Sequence, residues 1–248
     1  VVALLTEETG QLRASARGRG KKGVSAPSSI TLFSTYDLLL VEPHRGSDLY
    51  ELRERDVLQS RPCLSQGKPV EAWASASVLA ELVMRTTEPH EKQTYAFKML
   101  DKALDYLEAG DATGPLLAAF MVKYLEHAGF ALNLDPDEGK GPVGAGSREV
   151  FDIAAGGISP KKTGNEPQLD GMSPARRFVL SPAERKALQH LRVAVFDRLG
   201  DIAFTPATSL KLVDLLAAMV EHHLETRLKS LEFWRELWRK KADARVIL

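Results

Sequence analysis

The first sixty residues alternate apolar and polar positions with the two-residue period of strands. VVALLT is apolar and β-prone, and EETG is a turn. QLRASARG then sets Leu12, Ala14 and Ala16 against Arg13, Ser15 and Arg17, so that one face packs while the other presents cations. This spacing predicts a hairpin. After the Gly-, Ser- and Pro-rich GRGKKGVSAPSS, ITLFSTYDLLLVEP is long enough for a bent strand, HRGSD makes a turn, and LYELRERDV returns as another strand. The expectation is a small, meander-like antiparallel sheet whose edges need closure.

From Pro69 the apolar period becomes three to four residues. Ala76, Leu79 and Val83 line one helix, Phe97, Leu100, Leu104 and Leu107 a second, and Leu117, Phe120, Tyr124 and Ala128 a third. Pro115 suits a first turn and Gly129 a C-terminal cap. Between Asn133 and Arg177 the pattern dissolves into Gly, Pro, Lys and Asp, with EVFDIA alone strand-like. Helices resume at LSPAERKALQHLRVAVFDRLG, where Ser181 and Glu184 have capping-box spacing and Leu188, Leu191, Val195 and Leu199 form the buried face. A last long helix carries Leu212, Leu216, Val220, Leu224 and Leu228, followed by the amphipathic SLEFWRELWRKK.

Composition narrows the chemistry. Lys and Arg number 33, as do Asp and Glu, so any attraction for a polyanion comes from a local patch. One such patch exists: from Arg13 to Val24 there are five cations, Arg13, Arg17, Arg19, Lys21 and Lys22, and no acid. Glycine-spaced cations can follow a phosphate backbone, because Gly permits close approach and Arg or Lys displaces counterions; the alternative is an ordinary solvated hairpin. A phosphate-binding Walker loop is excluded, since GRGKKG lacks its spacing and no helix follows. Cys63 alone builds neither a disulfide framework nor a thiolate cage and fits a reducing cytosol. His222 and His223 are adjacent and point about 100° apart on a helix, and the remaining histidines stand in no catalytic spacing. Nothing supports an enzyme. Phe233 and Trp234, set among Arg235 and Arg239, have the chemistry to capture an acidic, apolar peptide tail, or else simply close the helical core.

Several motifs, taken in order, resemble the RecO recombination mediators. They are LLTEETGQLRASARGRGKK, ITLFSTYDLLL, LLAAFMVKYLEHAGFALNL, the F-x4-GG of EVFDIAAGGIS, and HHLETRLKSLEFW. The resemblance runs over nearly the whole chain. It implies an α+β protein in which an N-terminal OB-fold-like β-barrel, residues 1–60, precedes an α-helical domain with an irregular insertion. The helical domain would comprise residues 61–134 and 178–248. Residues 135–177 stand where many members carry a zinc finger, and the family's first strand would precede Val1, so a barrel short of one stave is expected.

The function implied is that of a DNA repair and recombination mediator acting without catalysis or cofactor in the bacterial cytoplasm, at the nucleoid. It would bind single- and double-stranded DNA, anneal complementary strands, join RecR, engage single-strand-binding protein and so help RecA load at gaps. Arg13, Arg17, Arg19, Lys21 and Lys22 are the candidate DNA contacts, and Phe33, Tyr36 and Tyr50 the available stacking platforms. Phe233, Trp234, Arg235 and Arg239, or a neighbouring groove near Lys123, are candidates for the tail of single-strand-binding protein. The family's arginine and glutamate on the middle helix are here Ala118 and Met121, which puts a tail contact at that point in doubt. A scaffold whose basic loop docks acidic partners is the alternative to the DNA reading. Where the finger's first thiolates would stand, this chain has Asp135 and Glu138, and no Cys follows Gly157. Zinc prefers N and S donors in a closed tetrahedron, so elemental analysis should find no stoichiometric zinc, and a chelator should leave the melting temperature unchanged. A one-to-one zinc content would overturn that expectation.

Overall fold

In the computed structural model, the N-terminal alternation forms an antiparallel hairpin of β1 (Val2–Thr6) and β2 (Gly10–Ser15). The structure describes residues 1–15, 30–43, 46–110, 113–135, 149–158, 177–202 and 204–244. Strand β3 (Thr35–Val41) pairs antiparallel with β4 (Leu49–Gln59), as the sequence predicts. The meander does not hold beyond that. The order is β1-β2-β4-β3, with β4 lying parallel to β2. Strand β4, rather than β3, therefore meets β2. The expected barrel, short of one stave, does not close among the described residues: the sheet is open, with β1 and β3 as its edges.

The chain divides into two compact units, Val1–Asp111 and Ala112–Leu248. In the first, the sheet's inner residues Leu12, Ala14 and Leu52 are buried. Helices α1 (Pro62–Ser65), α2 (Val70–Thr86) and α3 (Thr94–Ala109) complete the unit. The predicted stripe of Ala76, Leu79 and Val83 is fully buried on α2, and α3 answers with Ala96, Met99, Leu100, Ala103, Leu104 and Leu107.

Arg61, just ahead of α1, has a side chain 0% exposed. Its Nε donates to Asp105 (2.8 Å), Nη1 to the Phe33 carbonyl (2.8 Å) and Thr35 Oγ1 (3.0 Å), and Nη2 to the Asp101 carbonyl (3.0 Å) and carboxylate (2.8 Å). All five guanidinium N–H groups can thus be satisfied, which a buried arginine requires. One turn further along α3, Glu108 accepts from the Cys63 and Leu64 amides at 2.9 Å each. Burial works against the ionised Glu108, but these hydrogen bonds outweigh it and hold its carboxyl below its ordinary range.

The second unit is built around α4 (Thr113–His127), where every residue from Leu116 to Val122 is buried. Amphipathic spacing predicted one apolar face; instead the helix is covered all round, packing against α5 (Pro182–Val193), α6 (Pro206–His223) and a 3₁₀ helix at Phe196–Asp201. The capping box at α5 forms as predicted, with Glu184 N donating to Ser181 Oγ and Ser181 N to Glu184 Oε2. Two long helices of the sequence reading are each broken. The first stops at Val193, which leaves Val195 55% exposed. The second stops at His223, and the chain turns through Glu225, at φ 51°, into α7 (Ser230–Ala244). A small sheet of β5 (Glu149–Asp152), β6 (Gly157–Ile158) and β7 (Arg177–Leu180), in the order β6-β5-β7, completes the unit.

Arg61→Ala should destabilise the first unit by about 3 kcal/mol, the lower end for a broken buried pair, because Asp101 and Asp105 are 35% and 47% exposed and can resolvate. Urea unfolding checks this. Arg61→Lys should restore little, since an ammonium has three donors and no planar fork.

Candidate nucleic-acid interface

Strand β2 alternates as its sequence demands, with Gly10, Leu12 and Ala14 buried and Arg13 exposed. Arg13 lies opposite Ala3 on β1 and Leu49 on β4. Its Nη1 is 3.0 Å from Asp48 Oδ2, both side chains being more than half exposed. The arginine's hydrogen bond and charge hold the Asp48 carboxyl below its usual range. Such an exposed pair, screened by solvent, holds only weakly, so an incoming phosphate can displace it. Arg17, Arg19, Lys21 and Lys22 lie outside the described residues.

The same outer face changes sign on the neighbouring strands. A bulge in β4 places Leu39 opposite Glu54 and Leu40 opposite Leu52, leaving Arg53 without a facing residue. A strict two-residue period would send Glu54 and Asp56 to the inner face with Leu52. The bulge returns them to the outside, beside Asp37 and in line with Glu51. Leu39 and Val41, both exposed, share this acidic face. Sequence alternation alone missed this cluster of four carboxylates, because the bulge decides the side taken by Glu54 and Asp56.

The three candidate aromatics occupy distinct settings. Phe33 sits in a left-handed turn (φ 62°) whose carbonyl is committed to Arg61. Tyr50 is half-buried with its ring 6.5 Å from that of His90. Tyr36 is half-buried on the inner face, with the Arg55 guanidinium 5.7 Å from its ring centre. Burial works to raise its phenol, while hydrogen bonds with Thr31 and Ser34 and the Arg55 charge lower it overall.

The candidate tail residues also separate. Trp234 is 0% exposed and stacks on Trp238 at 4.3 Å, so it belongs to the core of its unit. Arg235 Nε is 2.6 Å from Asp214. Phe233, 41% exposed, and Arg239 face solvent on α7. Lys123 on α4 donates to the Arg192 carbonyl at 2.8 Å, and burial lowers its pKa.

In the place of the zinc finger, Asp135 accepts from Gln189 at 3.3 Å, while Glu138 lies outside the described residues. Among the described residues, no group of three or more His, Cys, Asp or Glu is placed to hold a metal. Asp135 with its amide partner does not by itself make a zinc site. The motifs flanking this place nevertheless meet. Asn133 N donates to the Gly156 carbonyl (2.9 Å), and Ile158 N donates to the Asn133 carbonyl (3.0 Å). A Cβ on Gly157 would lie 2.8 Å from Asn133 Cβ and 2.9 Å from its carbonyl oxygen, so the second glycine of F-x4-GG is required by close approach.

Comparison with known proteins matches these features to one family. The model of the recombination protein O C-terminal region matches residues 69–232. The DNA repair protein RecO of Anaeromyxobacter sp. (strain K) is 31% identical over 246 residues, covering 96% of this chain and 89% of its own. Those of Myxococcus xanthus and Syntrophus aciditrophicus are 29% and 27% identical, each covering 96% of this chain and 90% of its own. With similarity running through both units and most of each relative's length, the chain belongs to the RecO family.

Proposed function

We propose that this protein serves DNA repair and recombination, the role that comes with its family, as a non-catalytic mediator. It binds single- and double-stranded DNA through β2 and the cations that follow it, and anneals complementary strands. With RecR, it assists RecA at gaps coated by single-strand-binding protein. The observation that carries the DNA reading is the division of charge on the outer sheet face. Arg13 stands on β2, the strand leading to Arg17, Arg19, Lys21 and Lys22, while the carboxylates gather on β3 and β4. A phosphate backbone is drawn to the first and repelled by the second. The order β1-β2-β4-β3 with a parallel β2–β4 pair supports an OB-like sheet, since it is the order of four of that fold's five strands. For the tail of single-strand-binding protein, Phe233 and Arg239 are the members of the candidate set most exposed to solvent.

Replacing Arg17, Arg19, Lys21 and Lys22 together with Ala should flatten the slope of log K against log salt for a single-stranded oligonucleotide by up to roughly 3, at about 0.7 per phosphate. The loss should be alike for all sequences, because phosphate contacts read no bases. Unchanged affinity and slope would favour the scaffold that docks acidic proteins.

Asp48→Asn should act in the opposite direction. With its partner neutral, Arg13 is available to a phosphate, so affinity should rise at low salt and the slope steepen by up to about 0.7. An anisotropy titration at several salt concentrations reads both quantities.

A further inference from the structure

The start of β2 is held by a set of contacts that sheet formation does not need. Gly10 adopts φ +67°, and a Cβ there would lie 2.4 Å from the Glu91 carbonyl oxygen and 2.7 Å from that of Glu88. The β1–β2 turn is therefore pressed against the α2–α3 connection. Gln93 N donates to the Glu7 carbonyl at 3.0 Å, and Pro89 bridges to Gly10 and Gln11. The Gln11 side-chain amide donates to the Met84 carbonyl and, at 3.2 Å, to Thr87 Oγ1. Met84 lies in the last turn of α2, where carbonyls lack intrahelical partners. Gln11 thus caps a helix from a neighbouring strand. Exposed ion pairs, Glu8 with Lys92 and Glu7 with Lys98, surround this seat.

Gln11 lies two residues before Arg13, one strand repeat away on the same side of β2. On the DNA-binding reading given above, we infer that Gln11 and Gly10 are positioning residues: they clamp β2 to the end of α2, so that Arg13 meets a phosphate backbone from a fixed strand. The gain comes from preorganisation. A strand already held in place loses less freedom when Arg13 engages a phosphate.

Gln11→Met removes the amide donor and keeps the side chain's length; Gly10→Ala forces the turn off its seat. Each leaves every cation in place. With the protein folded at 25 °C, hydrogen exchange at Leu12, Arg13 and Ala14 should accelerate in Gln11→Met. Affinity for a single-stranded oligonucleotide should fall about fivefold and the salt slope flatten by about 0.7, as though one phosphate contact were lost. Gly10→Ala should do the same or more, and Lys92→Ala, which opens only an exposed pair, should change neither quantity. A purely structural role would lower the melting temperature of Gln11→Met and leave the slope alone, which would overturn the inference. So would unchanged exchange in β2, because the clamp would then not depend on Gln11. If the parent protein shows no salt-dependent DNA binding, the DNA reading itself fails and this inference falls with it, a result distinct from a binding parent with an indifferent variant.

Discussion

A guanidinium with no access to water sets the terms for the first unit. Arg61 can be buried only because five acceptors converge on it, and they come from separated parts of the chain: the Phe33 turn, the start of β3, and two turns of α3. Satisfying one side chain therefore fixes the end of the β3–β4 pair against α3. Glu108, on the same helix, then holds α1 by its amides, so the passage from sheet to helices is built on acidic positions of α3 at i, i+4 and i+7. An apolar contact of equal area would hold the elements together without dictating their register. The buried arginine does both, because each unmade hydrogen bond to it would carry a penalty.

The second unit solves a different problem. A helix buried on all sides needs neighbours on all sides, and α4 draws α5, α6 and the 3₁₀ helix around it. The chain leaving α4 must then be turned back. It passes through Asn133, whose backbone hydrogen bonds to Gly156 and Ile158 sew it to the β5–β6 turn. Two stretches that carried the family resemblance, GFALNL and F-x4-GG, are thus the two sides of one backbone contact. Their residue types follow from its tightness: nothing larger than glycine fits at Gly157 beside Asn133.

Much of this was legible in the sequence because local rules were sufficient. The β1–β2 hairpin, the buried stripe of α2 and the Ser181–Glu184 cap follow from period and capping chemistry alone. What escaped depended on partners distant in sequence. Periodicity does not say that β4 will lie parallel to β2, nor that α4 will be covered on its second face. The helix breaks after Val193 and His223 went unread because apolar spacing continues across them, at Val195 and Leu228, without a helix to carry it. Phe233 and Trp234 are adjacent and chemically alike, yet the helix turns one outward and the other into the core.

The bulge at Arg53 shows how a local irregularity reaches function. Neighbouring strands lie about 4.8 Å apart, within the Debye length of about 8 Å at physiological ionic strength. Glu51, in register with Ser15 on β2, is therefore within reach of an anion lying over β2, but its charge is offset by Arg53, whose guanidinium is 3.0 Å from its carboxylate; the carboxylates of Asp37, Glu54 and Asp56 stand farther out, on β3 and β4. On the other flank, Ala3 of β1 faces the outside beside Arg13 and brings no charge. A phosphate backbone following β2 consequently has its favourable ground on the β1 side of Arg13 and meets rising repulsion towards β4 and β3. Without the bulge, Glu54 and Asp56 would share the face of Leu52 at a cost in desolvation, and the outer face would lose half of its four carboxylates. One inserted residue thus relieves the interior and sharpens the charge boundary outside, in a chain whose total charge is zero.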